Sequence, residues 1–392
     1  MPKCSESRRL GSRNASWAAI SVGIGCGRRA AGCGTGAAIL LTLLALACAR
    51  SGRPELDATE PAGTCAWFGD ARDGILYFGE SAFWHAMHQA GGDPAADIAT
   101  QGPQVVGRFD LASEAMLPPI LAGESAHSGT WDVLAHPNGR VYFTSFYDPA
   151  GWVDPRTGAA RHFDAAGTGL NEIALLPEGR LIATRYGASG GADGSIVVLD
   201  PDGRVEAEHR LTPEPGFAVA AKSVAYDASR GIVWVNTDVI PHDGGPTRHD
   251  ARLIELASGR EIARFSEPEL HFPRFAADGR GWLAWLDGRR LSLRVTEPGT
   301  ALGPASGREI LLDDDFPRGL DFVQDVRDQP DGRVVATRWS GIVHVLSEDD
   351  RVQTVRLPRA ETEGFYYTAV AVGDRVCASY CAGVTVTCVS LE

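Results

Sequence analysis

One unit recurs seven times along this chain, and a repeat constrains the fold more than any single residue can. The unit is an alternating apolar strand, a tight Gly/Asp turn and a second alternating strand. It appears as AWFGDARDGILYFGE from Ala66, DVLAHPNGRVYFTSF from Asp132, EIALLPEGRLIATRY from Glu172 and SVAYDASRGIVWVNT from Ser223. It returns as RFAADGRGWLAWL from Arg274, DVRDQPDGRVVATRW from Asp325 and AVAVGDRVCASYC from Ala369. In the Pro-x-Gly-Arg turns, Gly takes the positive φ and Pro sets the direction of the preceding chain. Val, Ile, Tyr, Trp and Thr at period two suit half-buried strands.

A second hairpin follows each of the first six, from VVGRFDLASEAMLPPI to GIVHVLSEDDRVQTVRL, and the seventh copy adds only GVTVTCVSLE. Two hairpins make a four-stranded antiparallel sheet, and serial sheets of this kind at intervals of about 40–50 residues specify a β-propeller. The fold class is therefore all-β, with seven four-stranded blades; six blades is the alternative. The last blade is expected to have only three strands, because Leu56–Gly63 (LDATEPAG) is a poor outer strand. The propeller spans residues 65–392. It is one closed domain, although 392 residues would ordinarily suggest two or three.

Residues 37–47 (AAILLTLLALA) form an uncharged apolar run after Arg28 and Arg29. The run is too short to span a bilayer and the right length for a signal peptide. Ala45-Leu46-Ala47-Cys48 looks like a bacterial lipobox. Residues 1–47 are thus expected to be a leader, Cys48 the lipidated residue and 48–64 a linker; an ordinary signal peptide cut nearby is the alternative. The expected location is the bacterial cell envelope, periplasmic or extracellular, with the lipid as the only membrane contact. Removing the leader leaves 31 basic and 49 acidic residues, or −18 formally. That charge excludes a nucleic-acid-binding surface.

Four cysteines remain beyond the anchor: Cys65, Cys377, Cys381 and Cys388. An even count in an exported chain suggests disulfides, with three possible pairings. In the last hairpin Cys377 and Cys388 fall opposite each other. Cys65 and the loop carrying Cys381 share a face, so the expected pairs are Cys377–Cys388 and Cys65–Cys381.

Function in a propeller concentrates where the inner strands begin, at one mouth of the channel. The residues there are Trp131-Asp132, Asn171-Glu172, Lys222-Ser223, Pro273-Arg274, Gln324-Asp325 and Tyr367-Thr368. Asp132, Asn171, Glu172, Lys222, Arg274, Gln324, Asp325 and Tyr367 are the candidate ligand-binding set. The turns, as in NEIALLPEGRLIATRY, resemble those of the SMP-30/gluconolactonase and streptogramin-lyase-like propellers. That resemblance implies a divalent cation, often calcium, in the channel. Asp132, Asn171, Glu172 and Asp325 would hold it, and their oxygens suit Ca²⁺. Lys222 and Arg274 depart from the pattern and are expected to pair with Asp132, Glu172 and Asp325 instead.

Two loops carry further candidates: His85 and His88 in blade one, and His242, Asp243, His249 and Asp250 in blade four. Asp313–Asp315 reads as a turn. Phe83, Trp84, Phe146, Tyr147, Tyr186, Trp339 and Tyr380 lie near the same loops, as a partner-binding rim or as blade caps. No Gly-x-Ser-x-Gly, phosphate-cradling loop or dinucleotide fingerprint is present. The expected function is a ligand- or protein-binding scaffold lipoprotein without a cofactor. A metal-dependent lactonase or esterase is the alternative.

Overall fold

The computed structural model describes residues 65–81, 102–187, 193–266, 272–276, 278–316, 321, 323–358, 365–381 and 384–391. The leader, Cys48, the linker, and the segment carrying Phe83, Trp84, His85 and His88 lie outside them. Seven antiparallel sheets follow one another along the chain. Six have four strands, and the seventh has three among the described residues. Each sheet is ordered as its strands occur in sequence. The inner strands are Cys65–Arg72, Val133–Ala135, Leu170–Leu175, Phe217–Asp227, Phe272–Phe275, Val323–Asp328 and Phe365–Val372. Each touches the next, and the last touches the first, so the ring closes.

The turns do what the sequence asks of them. Gly139 and Gly332 sit at φ 88° and 83°, and their N–H groups donate back to the His136 and Gln329 carbonyls at 3.0 Å. Strand alternation then sends one set of apolar side chains to each face, and neighbouring blades bury them against each other. At the closure, Ala66, Leu76, Phe78 and Phe109 of blade one pack on Val370, Cys377, Val384 and Val386 of blade seven.

Polar links tie the blades as well. In blade two the Asp132 N–H donates to Thr144 Oγ1 at 3.1 Å, and that hydroxyl donates to the Asn171 carbonyl of blade three at 2.5 Å. Thr184 repeats the link between Glu172 N–H and the Lys222 carbonyl. Ser379 repeats it between Thr368 N–H and the Trp67 carbonyl, across the closure. One buried hydroxyl on the second strand thus fastens the start of its own inner strand to the start of the next.

Both expected disulfides form. Cys377–Cys388 clips the last hairpin, and Cys65–Cys381 joins blade one to blade seven across 316 residues of sequence.

Candidate functional site

The inner strands begin with a recurring irregularity. Register shifts fall at Trp67-Phe68, Asn171-Glu172, Lys222-Ser223, Gln324 and Tyr367-Thr368, in blades one, three, four, six and seven. A bulge re-aims the side chains it carries, and this decides which candidates reach the channel.

Asp132, Glu172, Arg274 and Asp325 do reach it. With Ser223 and Arg327 they line a cavity of about 40 Å³, room for one or two waters. The other four candidates do not line it. Asn171 is buried, and its Nδ2 donates to the Lys222 carbonyl at 2.7 Å. Lys222 turns to Asp238, with Nζ 3.6 Å from the carboxylate. Gln324 is buried at its bulge. Tyr367 joins a cluster of rings.

The expected pairing of Lys222 and Arg274 with Asp132, Glu172 and Asp325 is therefore corrected. Arg274 pairs with Asp328 at 2.6 Å. The cation among the channel carboxylates is Arg327, whose Nε donates to Asp325 Oδ2 at 2.7 Å. Its Nη2 lies 3.8 Å from Asp132 Oδ1. Arg327 had a signal in the sequence: it stands two residues after Asp325 and so shares its strand face.

Asp70, another charged residue within an apolar inner strand, acts as a tie. Its carboxylate accepts the Ala71 N–H at 2.9 Å and the Ala135 N–H of blade two at 3.0 Å. Asp132 does the same one blade on, accepting Val133 N–H at 2.8 Å and Ile173 N–H at 3.0 Å.

The electrostatics follow from crowding. Burial pushes the Asp132 carboxyl up to about 6, with Asp325 adding to the rise and Arg327 and the two N–H groups opposing it. Burial, then the charges of Asp132 and Asp325, hold Glu172 well above the usual carboxylate range. Asp70 is raised by burial against the pull of Arg327 and Arg274. Arg327 stays firmly protonated: burial opposes its charge, but Asp325, Asp132 and Asp70 outweigh it.

This set does not fit calcium. Asp325 Oδ2 already accepts from Arg327 and from Thr368 Oγ1 at 2.8 Å, and both Asp132 oxygens hold backbone N–H groups. Among the described residues no three His, Cys, Asp or Glu side chains converge to hold a metal ion. Asn171 Oδ1 is buried without a hydrogen-bond partner among them, but one amide oxygen is not a coordination sphere. The channel is a salt-bridged polar plug.

The blade-four candidates divide. His242 and Asp243 are exposed in a turn. His249 and Asp250 are not loop residues but lie on the strand Arg248–Glu255. His249 Nδ1 is 2.6 Å from Asp238 Oδ1, and the Tyr186 hydroxyl is 3.4 Å from Oδ2. Burial opposes the Asp238 charge, yet Lys222 and His249 hold its carboxyl below the usual range. Asp313 ends a strand and accepts from buried Arg338 at 2.6 Å, while Asp314 and Asp315 form the bend.

The aromatic candidates mostly cap rather than project. Rings run continuously over five blades: Trp339 to Tyr367 at 6.0 Å, Tyr367 to Trp67 at 4.5 Å, Trp67 to Trp131 at 4.2 Å, Trp131 to Phe146 at 4.6 Å, and Phe146 to Tyr186 at 5.8 Å. Trp67, Trp131 and Tyr367 are buried, whereas Phe146, Tyr186 and Trp339 are half-buried and Tyr147 is exposed. Tyr380 leaves the rim entirely, buried against Tyr366 at 4.5 Å in the core between blades six and seven.

No protein-family model matches the chain, and no curated protein matches it. Solved structures do. The β-propeller domain of Cps50 (Swd1) from Myceliophteria thermophila superposes with a TM-score of 0.54 at 11% identity, covering 86% of this chain and 99% of that one. The WD40 β-propeller domain of Doa1 superposes with a TM-score of 0.51 at 11% identity, covering 85% and 95%. At such identities the likeness is one of fold.

Proposed function

We propose that this chain is a lipid-anchored cell-envelope propeller that binds a protein or small-molecule partner at its channel mouth. The observation that carries the reading is the plug. Arg327, Asp325, Asp132 and Asp70 engage one another and the backbone, so the channel itself offers little room for a substrate. Half-buried Phe146, Tyr186 and Trp339 belong to the run of rings over five blades, and exposed Tyr147 follows Phe146 in the chain; such rings suit the centre of a contact surface. The propeller fold, which the WD40 domain of Doa1 shares, is compatible with a scaffold role, and the role itself is argued from the site. Two disulfides suit an oxidising compartment.

The test has two parts. A photo-cross-linking side chain at position 147 or 146, in cells, is expected to trap one specific envelope partner, and the same probe at exposed Ile262 on blade four is not. Incorporation of labelled palmitate that is lost in Cys48→Ser checks the anchor. Calcium-dependent turnover of a lactone or aryl ester, abolished by Asn171→Ala and Asp325→Ala, would overturn the binding reading in favour of an SMP-30-like enzyme.

A further inference from the structure

Blade four stands taller at the channel mouth than its neighbours. Among the described residues its inner strand Phe217–Asp227 and second strand Ile232–Pro241 are the longest of their kind in the ring. Five residue pairs, from Phe217–Pro241 to Ala221–Thr237, precede its register shift, where blades one, three, six and seven have one or two. At the usual rise per residue the extension makes a wall roughly 15 Å long.

Lys222 lies at the foot of this wall, and blade three holds it there. The Lys222 carbonyl accepts from Asn171 Nδ2 and from Thr184 Oγ1, each at 2.7 Å. The preceding Ala221 N–H donates to the Tyr186 carbonyl at 3.2 Å. The bulge is thus a fixed platform for the lysine.

Four side chains meet on the wall. The Asp238 carboxylate, 3% exposed, has His249 Nδ1 at 2.6 Å and Lys222 Nζ at 3.6 Å from Oδ1, and the Tyr186 hydroxyl at 3.4 Å from Oδ2. An ionised carboxylate only accepts, so His249 Nδ1 carries the proton and Nε2 is the ring's second contact atom. The Lys222 and His249 side chains keep 27% and 39% of their surface exposed. A buried acid has therefore gathered three donor groups on side chains that still reach solvent.

This spot favours negative charge, although the chain as a whole carries −13 formally. Burial opposes the Asp238 charge, yet Lys222 and then His249 hold its carboxyl below the usual range. Burial, Asp132 and Asp325 raise Glu172, and Arg327 and Lys222 oppose them, so the charge of the lysine also reaches the channel. Beside the cluster, the Tyr186 ring meets Phe146 edge-on with centroids 5.8 Å apart, and an apolar surface borders the donors.

We infer that this sector of the mouth takes a carboxylate borne on a flat apolar group: Lys222, His249 and Tyr186 hold the oxyanion, and the rings of Phe146 and Tyr186 take its body. Asp238 is a positioning residue for the donors, and Asn171 positions Lys222 through its carbonyl. With His249 charged, two cations face one buried acid. The surplus of one unit matches a carboxylate and falls short of a doubly charged phosphate. The inference rests on the mouth as the binding face and narrows its ligand to an acid, supplied free or by a polypeptide.

Lys3 and Lys222 are the only lysines in the chain, so acetylation by an amine reagent, read by mass on the peptide carrying Lys222, reports on this one site. The probes are benzoate and the capped dipeptide acetyl-Glu-Phe-amide; benzamide and acetyl-Gln-Phe-amide are their neutral counterparts. At least one acid is expected to slow Lys222 acetylation saturably and to bind, by calorimetry, about ten-fold tighter than its counterpart, the worth of one charge-assisted hydrogen bond. Lys222→Gln and His249→Gln are each expected to weaken that binding about ten-fold, and Lys222→Arg, which keeps the charge, by less. Arg248→Gln removes a neighbouring cation that pairs with Glu214 and Asp250 and is expected to leave the affinity unchanged. Tighter binding of the dipeptide assigns the acid to a polypeptide, and tighter binding of benzoate to a free acid. The inference is overturned by no saturable binding of either acid, by equal binding of the neutral counterparts, or by Arg248→Gln costing as much as Lys222→Gln. If a cross-linker at 146 or 147 then still traps its partner, the mouth reading stands and the carboxylate alone falls.

Discussion

Arg327 and Asp325 stand two residues apart on one inner strand, joined at 2.7 Å, and the same guanidinium reaches toward Asp132 on the far side of the channel. The arrangement sets one largely buried cation, its side chain 12% exposed, among the carboxyls of blades one, two and six. Replacing Arg327 with Met keeps much of its length and removes its charge. Asp325 and Asp132 are then buried without their counter-ion, a change that costs roughly 3–5 kcal/mol when one partner of a buried pair is lost. The urea midpoint of Arg327→Met is expected to fall accordingly. Arg274→Met, at the more exposed pair with Asp328, should lose about 1 kcal/mol or less. Equal losses in the two variants would show that Arg327 is not the keystone of the plug.

Asp132 gives the channel a pH signature. Its carboxyl titrates near 6 in the folded protein, above the ordinary value. The folded state therefore holds this proton more tightly than the unfolded chain does. The stabilisation is complete below about pH 4, the usual aspartate range, and is lost as pH rises through 6. Unfolding midpoints of wild type against Asp132→Asn across pH 4–7 read this directly. The variant is expected to gain relative stability as pH rises through that window. A constant difference between the two would mean that Asp132 titrates normally.

The two disulfides differ in what they close. Cys65–Cys381 encloses 316 residues and Cys377–Cys388 only 11. In the chain-entropy picture the long link contributes about 5–6 kcal/mol and the short one about 2–3 kcal/mol. Cys65→Ser/Cys381→Ser is expected to lower the thermal midpoint more than Cys377→Ser/Cys388→Ser. Exchange should rise first where blade seven meets blade one, at Val370 and Val386 against Leu76 and Phe78. The reverse ranking would place the strength of closure in the hydrophobic contact alone.

Blades, turns and the Cys377–Cys388 pair were legible because each is written locally. Alternation marks a strand, Pro-x-Gly-Arg marks its turn, and the hairpin register puts Cys377 across from Cys388. The channel was legible only in part. Lys222 sits at the start of an inner strand, yet the bulge between Ala221 and Val224 turns it to Asp238 on the neighbouring strand. No composition or spacing announces a one-residue register shift. Arg327 was readable in principle, because period two puts it on the face of Asp325. It lies deeper in the strand Val323–Asp328 than the entry positions where the channel mouth is expected. Tyr380 was placed on the rim by its nearness to a loop, whereas its place in the strand Arg375–Cys381 sends it into the core.

The hydroxyl links supply the last prediction. Thr144 is fully buried, accepts the Asp132 N–H and donates to the Asn171 carbonyl. Thr144→Val keeps the shape and deletes both bonds, leaving a buried donor and a buried acceptor each short of a partner. That costs about 1–3 kcal/mol. Ser379→Ala breaks the equivalent link between Thr368 and Trp67, where Cys65–Cys381 already holds the same two blades. Thr144→Val acts between blades two and three, which share no disulfide. Under oxidising conditions Ser379→Ala is therefore expected to raise amide exchange little, and under reducing conditions much more. The effect of Thr144→Val should not depend on redox state. Matching responses to reductant would mean that the hydroxyl and the disulfide do not share the work of closing the ring.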